Sequence, residues 1–185
     1  MTDFSPTQVD TAAFAQAGAV LSGSAELTSF ERVMEELKAQ GDALGVDWAA
    51  LPPVQWSAHG EQRTALGGLP QNWLLLQATA VAPQVCQRCL ERVDEPLLVD
   101  YWFRFVDDEA EADAQDDEME EDLLVSSRKF DLLTLVEDEL LMALPMVPLH
   151  DVCPVPVKMA VADPGFEAQA EAKPHPFAAL GALKK

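Results

Sequence analysis

The chain contains 185 residues, a length that fits one domain because chains usually split into several only beyond about 250 residues. Apolar residues make up 49% and charged residues 24%, which excludes wholesale disorder and a fibrous protein. Twelve basic against 32 acidic residues give a formal net charge of -20. This charge excludes indiscriminate binding to bare nucleic acid or to anionic membranes.

The lack of recognisable targeting signals and the small number of cysteines predict a cytoplasmic location. No run of about 18 apolar residues is present, and the start of the chain lacks the basic and apolar regions of a secretory signal. Three cysteines are too few, and odd in number, for a disulfide framework. We therefore expect a cytoplasmic protein without membrane contact, whose thiols are reduced or bound to metal.

An arm, a strand and a helix are predicted for the first 40 residues. Residues 1–16 show little periodicity, so we expect a loosely packed arm. Residues 20–27 alternate apolar and small polar side chains, as a short strand does. Apolar residues recur at helical spacing over residues 28–40, and Thr28 with Glu31 has the spacing of a capping box.

The middle of the chain has the pattern of an antiparallel sheet. Aromatic and β-branched residues concentrate in residues 54–58, 73–82 and 96–106, which are separated by glycine, proline and a cysteine pair. Alternation within these runs predicts one buried face. Cys86 and Cys89 lie at the connection between the last two long strands.

An acidic run follows the predicted sheet. Residues 107–122 contain eleven acidic residues and no Lys or Arg, so self-repulsion predicts a disordered loop of unconstrained length. Without this run the chain is still acidic, with 12 basic against 21 acidic residues and a net charge of -9. A solvated insertion and a mimic of nucleic acid that binds basic proteins are both compatible with this composition.

A second main helix is predicted for residues 131–144, capped by Asp131 and stabilised by one apolar stripe. Its polar residues include Glu137, Asp138 and Glu139. Adjacent residues of a helix project about 100° apart, so these three carboxylates cannot all bind one ligand. They form either a solvated face or a contact with a partner.

The remainder is predicted to be a tail. Prolines recur from residue 154 onward and favour an extended path over the surface for residues 154–185. Residues 177–183 are apolar enough to add a short terminal helix that docks onto the domain.

Cysteine and histidine spacing is the sharpest chemical signal. Cys86 and Cys89 have C-x-x-C spacing, and His150 with Cys153 repeats that spacing, which together predict a possible Cys3His zinc site. Such a site requires the turn of the first pair to lie against the segment after Pro148, with ligand atoms within about 4 Å of one another. A redox dithiol and plain structural thiols are the alternatives.

Motifs of enzyme active sites are not found in the sequence: it has no nucleophile elbow, no P-loop, no dinucleotide fingerprint and no H-E-x-x-H. Arg88 and Arg92 are among the few basic residues near the cysteine turn. They can contact phosphate or a protein partner, or they can form ion pairs with the acidic residues nearby.

Three stretches together resemble one protein family. These stretches are the C-Q-R-C turn, FDLLTLVEDELLMALPMVPLHDVC over residues 130–153 and KPHPFAALGALKK over residues 173–185. They are similar to the proteobacterial branch of the YceD family, the large ribosomal RNA subunit accumulation proteins. The second stretch is the most specific. Some members carry a second cysteine pair where this chain has His150 and Cys153.

The resemblance implies a role in synthesis, processing or stability of 23S rRNA, and hence in assembly of the large ribosomal subunit, without an established enzymatic activity. Composition favours basic ribosomal or processing proteins as partners, with rRNA reached indirectly. A metal- or thiol-dependent enzyme centred on Cys86, Cys89, His150 and Cys153 is the alternative. The predicted fold is α+β, with an antiparallel, partly closed sheet packed by two main helices.

Overall fold

The computed structural model describes residues 4–64, 67–115, 119 and 121–157. The helices and strands of this part of the chain are α1 (Thr11–Gln16), β1 (Val20–Ala25), α2 (Glu31–Ala43), β2 (Val54–Thr64), β3 (Pro70–Val85), β4 (Arg92–Val106), α3 (Glu109–Gln115), β5 (Asp122–Val125) and α4 (Leu132–Met142). Short 3₁₀ helices at Leu27–Ser29 and Trp48–Ala50 flank α2.

The sheet has five strands in the order β1-β2-β3-β4-β5. Its first three pairings are antiparallel, while β5 runs parallel to β4. The predicted α+β class is therefore confirmed. Among the described residues the sheet is open rather than partly closed, because β1 and β5 form its two edges without pairing to each other.

One face of the sheet forms the core. Alternate residues of β2, β3 and β4 are buried beneath α1, α2 and α4, as expected for strands with one buried face. The fully buried larger side chains include Phe14, Val33, Leu37, Val54, Leu74, Leu76, Leu97, Phe103, Leu132, Val136 and Leu140. Polar residues occupy much of the opposite face, where the Gln77 amide links Ser57 on β2 to Asp100 on β4.

The arm predicted for residues 1–16 is packed over its described part, so the expectation of loose packing is wrong there. Asp10 caps α1 by accepting a hydrogen bond from the Ala13 amide at 3.0 Å. The Phe14 ring is 1% exposed, and a Cβ on Gly60 would lie 2.6 Å from it. Glycine on β2 therefore gives α1 the room that lets Phe14 reach the core.

The acidic run contains a helix within its described residues, while the disordered loop expected for residues 107–122 as a whole stays a prediction. Residues 109–115 form α3, although α3 buries no residue. The parallel pairing of β5 with β4 accounts for the length of the segment between them, because parallel neighbours need a crossover of about a dozen residues or more. Arg104 of β4 donates a hydrogen bond to the Gln115 side chain and so attaches α3 to the sheet.

The start of α2 differs from the predicted capping box. Thr28 lies in the 3₁₀ helix, and Phe30 occupies the N-cap position without a side-chain hydrogen bond. The cap comes instead from α4, because Glu137 Oε1 accepts a hydrogen bond from the Arg32 amide at 2.7 Å. Glu137, about a hundred positions away, thus caps α2 in place of the predicted local pair Thr28 and Glu31.

The start of α4 confirms its prediction. Oδ1 of Asp131 accepts hydrogen bonds from the amides of Leu133 at 2.9 Å and Thr134 at 3.2 Å. These amides have no partner within the helix, so the side chain satisfies two donors that would otherwise be unpaired. Leu132, Leu135, Val136 and Leu140 form the buried face of the helix.

We expect Asp131→Ala to lower the free energy of unfolding by about 1 kcal/mol, because alanine cannot accept these two hydrogen bonds. For a chain of this size the melting temperature should fall by roughly 2–4 °C, measured by circular dichroism. Asp131→Asn is the matched control, since asparagine caps helices about as well. Equal melting temperatures for the alanine and wild-type proteins would contradict the assigned cap.

The predicted C-terminal tail is described only to residue 157. Residues 154–157 contain no helix or strand, and the short terminal helix predicted for residues 177–183 lies outside the described residues.

Candidate metal centre

The first half of the candidate site is the turn between β3 and β4. The Cys86 amide donates to the Glu91 carbonyl and the Leu90 amide donates to the Cys86 carbonyl, each at 2.9 Å. Leu90 has a φ of 63°, a left-handed conformation that costs energy for a residue with a Cβ. The turn therefore holds Cys86 and Cys89 close together.

The second half lies in the segment that follows α4. This segment crosses back to the turn, where the Gln87 amide donates to the Pro148 carbonyl at 2.9 Å. The His150 amide then points at Sγ of Cys86, with a nitrogen–sulfur distance of 3.4 Å. The predicted contact between the cysteine turn and the residues after Pro148 is confirmed.

Four ligand atoms meet at this contact. One ligand atom each from Cys86, Cys89, His150 and Cys153 lies within 4.8 Å of all the others. Cys86 is fully buried, and the other three residues are partly buried. Edges of a tetrahedral zinc site with zinc–sulfur bonds of about 2.3 Å are slightly under about 4 Å, so binding requires a contraction of about 1 Å or less.

The histidine ring is held in the tautomer that a metal site needs. His150 Nε2 lies 2.9 Å from the Arg92 carbonyl oxygen, which can only accept a hydrogen bond, so Nε2 carries the proton. In the neutral ring Nδ1 then presents its lone pair, and it lies 3.4 Å from Cys89 Sγ. Metal-ligating histidines usually have such an outer hydrogen bond on the second nitrogen.

The thiols have different electrostatic environments. Burial alone would raise the pKa of Cys86, but hydrogen bonds from the backbone amides of His150, Cys89 and Arg88 lower it to about 5. Burial raises the pKa of Cys153, and its contacts with the other two cysteines raise it further. Backbone N–H groups aimed at one sulfur stabilise a thiolate, the form that binds metals.

The two arginines beside the turn have separate environments. The Arg92 side chain forms an ion pair with Asp94 at 2.7 Å, which is one of the two alternatives that the sequence leaves open for it. Arg88 is exposed in the turn itself. A partner contact through Arg88 and Arg92 stays a prediction.

The three carboxylates of α4 do not all meet at one group, as their spacing predicts. Glu137 and Asp138 both bind the Arg32 guanidinium, with 3.0 Å between Arg32 and Glu137. Glu139 lies away from this pair, and its burial, followed by the charges of Asp122 and Asp138, raises its pKa. Two of the three residues thus join α4 to α2, and a contact of the triplet with a partner stays a prediction.

We expect Glu137→Ala to lower the free energy of unfolding by about 1–2 kcal/mol, because it removes both the remote cap of α2 and an ion pair. Glu137→Gln keeps an oxygen for the Arg32 amide and should cost less than about 1 kcal/mol. Urea unfolding curves of the two variants measure the difference. Identical midpoints for both variants would show that the amide hydrogen bond contributes nothing.

Sequence reasoning missed the backbone contacts that complete the site. The carbonyls of Pro148 and Arg92 fix the turn and the histidine ring, and carbonyls leave no signature in side-chain patterns. The link between Arg32 and Glu137 was missed as well. The sequence indicates this ion pair only by opposite charges on two amphipathic helices, and many other pairs of residues in the chain have opposite charges as well.

Comparisons with known proteins bear on the same part of the chain. The family model described as large ribosomal RNA subunit accumulation protein YceD matches residues 74–184, which is more than half of the chain. A protein of Haemophilus influenzae named large ribosomal RNA subunit accumulation protein YceD is 35% identical over 102 residues. That alignment covers 54% of this chain and 58% of the relative, less than two thirds of its length. No solved structure matches the chain.

None of the helices in the described part of the chain combines the length and apolar character that a bilayer span requires.

Proposed function

Since this chain belongs to the YceD family of large ribosomal RNA subunit accumulation proteins, we propose that it supports the accumulation of large-subunit ribosomal RNA. The match over residues 74–184 carries this proposal, and it confirms the family resemblance of residues 130–153. Within that role we propose a non-enzymatic adaptor that promotes synthesis, processing or stability of 23S rRNA in the cytoplasm.

The adaptor proposal rests on charge. A net charge of -20 repels the phosphate backbone and attracts basic proteins, many of which take part in assembling a ribosomal subunit. Helix α2 carries the exposed carboxylates of Glu31, Glu35 and Glu36, so its described surface is acidic as well. Basic ribosomal or processing proteins are therefore the proposed partners, and rRNA is reached through them.

We propose that zinc is bound by Cys86, Cys89, His150 and Cys153. Three sulfurs and one imidazole nitrogen suit zinc, which prefers a tetrahedron of soft and borderline ligands. Four protein ligands fill that tetrahedron and leave no position for a substrate, which is typical of structural zinc. The ion would fasten the β3–β4 turn to the segment after α4.

A thiol-dependent enzyme is the competing function, and the low pKa of Cys86 is the observation that favours it. A redox C-x-x-C pair normally starts a helix, whose N-terminus stabilises the thiolate. Here the pair lies in a turn between two strands, and the stabilising amides include that of His150. Because the His150 amide belongs to the segment that supplies the other two ligands, this contact is more typical of an assembled metal site than of an exposed catalytic thiol.

The accumulation role is tested in a strain that lacks this protein. We expect the ratio of mature 23S to 16S rRNA to fall on deletion and to recover when the wild-type chain is expressed. The ratio is read by RNA electrophoresis, with protein levels checked by immunoblot. An unchanged ratio in the deletion strain would overturn the role.

The adaptor mechanism is tested by affinity purification from growing cells with and without ribonuclease. Basic proteins should remain bound after digestion and dissociate at high salt, because their attraction is electrostatic. Association that disappears on digestion would show that RNA is the direct ligand. A Glu137→Gln chain that folds but fails to restore the rRNA ratio would identify α4 as a partner contact.

A further inference from the structure

Strand β1 forms one edge of the sheet. Among the described strands it pairs with β2 alone, through a continuous antiparallel register that runs from Val20 opposite His59 to Ala25 opposite Val54. The edge at the other side of the sheet is β5, which has only four residues. Strand β1 precedes residues 74–184, so the family relationship does not account for its edge.

The hydrogen-bond pattern shows which backbone groups of β1 point away from β2. The Gly60 amide donates to the Ala19 carbonyl at 2.9 Å, which continues the register by one residue before β1. Hydrogen-bonded and non-hydrogen-bonded pairs alternate along an antiparallel ladder, so the odd-numbered residues of β1 bond to β2. The amides and carbonyls of the even-numbered residues therefore point outward. We call the outward groups of Val20, Ser22 and Ser24 the free edge.

The free edge is accessible. Val20 is 64% exposed, and Ser22 and Ser24 are exposed as well. Within the described residues, no other backbone segment hydrogen-bonds to these three residues across the free edge. Three amides and three carbonyls thus recur at a spacing of two residues, which is the spacing that an additional strand requires.

Strand β1 lacks the features that usually protect the edge of a sheet. Charged side chains, proline and bulges normally prevent edge strands from pairing with other chains. The sequence of β1, VLSGSA, contains no charged residue and no proline, and its register with β2 contains no bulge. The small side chains of Ser22, Gly23 and Ser24 leave room for another backbone. An unprotected edge of this kind can accept a strand from a partner.

Charge determines which segment fits the free edge. A second copy of the chain has the same net charge of -20, so pairing of β1 with its counterpart would bring two strongly negative proteins together. A basic segment is attracted by the same charge. Glu26 follows β1 directly, is exposed and forms no ion pair within the described part of the chain. The end of the strand is therefore locally negative as well.

We propose that the free edge of β1 binds an extended, basic segment of a partner protein as a sixth strand of the sheet. This inference rests on the proposed adaptor function and gives it a specific surface. Backbone hydrogen bonds to Val20, Ser22 and Ser24 hold the segment in register. Its lysine or arginine side chains supply the attraction to the acidic protein, and its alternate side chains lie on the two faces of the sheet.

Hydrogen exchange of the ¹⁵N-labelled full chain tests this proposal with a capped peptide of the sequence Lys-Val-Lys-Thr-Lys-Val. Salt at about 0.15 M screens general attraction to an acidic surface. A saturating concentration of the peptide should slow exchange of the Ser22 and Ser24 amides by about tenfold or more, because they become hydrogen-bonded. The amides of Leu21 and Gly23 already bond to β2, so they serve as internal references and should change less.

Matched variants and a matched peptide locate the binding. Ser22→Pro removes an outward amide and places a ring on the free edge without removing a hydrogen bond to β2. It should weaken the peptide by about tenfold or more. Ser22→Ala keeps the amide and should bind like the wild-type chain. The peptide Lys-Pro-Lys-Gly-Lys-Pro has the same charge but cannot pair as a strand, so it should give no protection.

The exchange measurement on the wild-type chain remains decisive if Ser22→Pro fails to fold. Equal affinities of Ser22→Pro and Ser22→Ala, or equal protection by the proline peptide, would overturn the proposal. So would equal protection by a peptide with glutamate in place of lysine. Analytical ultracentrifugation tests the other occupant: a dimer that Ser22→Pro dissociates would overturn the proposal in favour of a second copy of the chain.

Failure of the free-edge proposal is distinguishable from failure of the proposed role. If the wild-type chain restores the rRNA ratio while the lysine peptide protects neither Ser22 nor Ser24, the free-edge proposal is overturned and the role stands. If the peptide binds as described but deletion of the protein leaves the ratio unchanged, binding at the free edge is supported and the role is overturned.

Discussion

A Cys89→Ser variant is expected to lose bound zinc and to melt at a lower temperature than the wild-type chain. Serine keeps the size but replaces the sulfur that lies 3.4 Å from His150 Nδ1 with a neutral hydroxyl. Even changes outside the ligand set cost 10–100-fold in metal affinity, so loss of a ligand should cost more than about 100-fold. Zinc at about 1,000 times its dissociation constant stabilises a protein by about 4 kcal/mol. The melting temperature should therefore fall by roughly 10 °C.

Metal analysis and calorimetry of the purified variants measure this effect. Arg88→Ala is the matched control, because it changes an exposed side chain of the same turn and leaves all four ligands in place. We expect this control to keep its zinc and its melting temperature. Wild-type and Cys89→Ser proteins with the same metal content and the same melting temperature would contradict the zinc proposal.

A Leu140→Asp variant is expected to be unfolded or insoluble. Leu140 is 0% exposed in the core contributed by α4, so the aspartate would be buried without a partner. An uncompensated buried charge costs about 3–5 kcal/mol, and loss of the buried leucine adds about 2–3 kcal/mol. Domains are stable by only about 5–15 kcal/mol in total, so this substitution removes most of the stability.

The matched control for Leu140→Asp lies two residues further along α4. Met142 is 80% exposed, so Met142→Asp introduces the same charge into solvent. Repulsion from Asp138 and from the C-terminal end of the helix should lower the free energy of unfolding by no more than about 1 kcal/mol. Soluble yield, circular dichroism and urea unfolding compare the two proteins. A soluble Leu140→Asp protein with the wild-type unfolding midpoint would show that α4 does not pack as described.

Local signals predicted most of the individual elements. The periodicity of residues 131–144 and the capping residue Asp131 predict α4 closely, because both depend on neighbours within one turn. Strand alternation likewise predicts β3 and β4, although both extend further toward Cys86 and Cys89 than expected. Hydrogen bonding between the two strands continues up to the turn, which no local pattern encodes.

Tertiary contacts explain the elements that sequence reasoning missed. The cap of α2 comes from Glu137 on another helix, so the local pair Thr28 and Glu31 is not used. Helix α3 lies in the crossover between β4 and the parallel strand β5, and Asp108 caps its start by accepting a hydrogen bond from the Glu111 amide at 2.8 Å. No local pattern in Asp122–Val125 predicts the parallel pairing that requires this crossover. Burial of Phe14 depends on Gly60, far along the chain, so a segment with little periodicity is nonetheless packed.

The candidate site shows the same division. Spacing within each half of the site predicted Cys86 with Cys89 and His150 with Cys153, because a tight turn brings such residues together. The two halves are 61 positions apart, and only the folded path of the chain after α4 brings them into contact.

Zinc K-edge X-ray absorption of the full chain, purified under reducing conditions without added metal, tests the metal centre most directly. We expect one zinc ion per chain, with three sulfurs at about 2.3 Å and one nitrogen at about 2.0 Å. Removal of the ion by a chelator should lower the melting temperature. A metal-free protein whose melting temperature is the same with chelator and with added zinc would contradict the account.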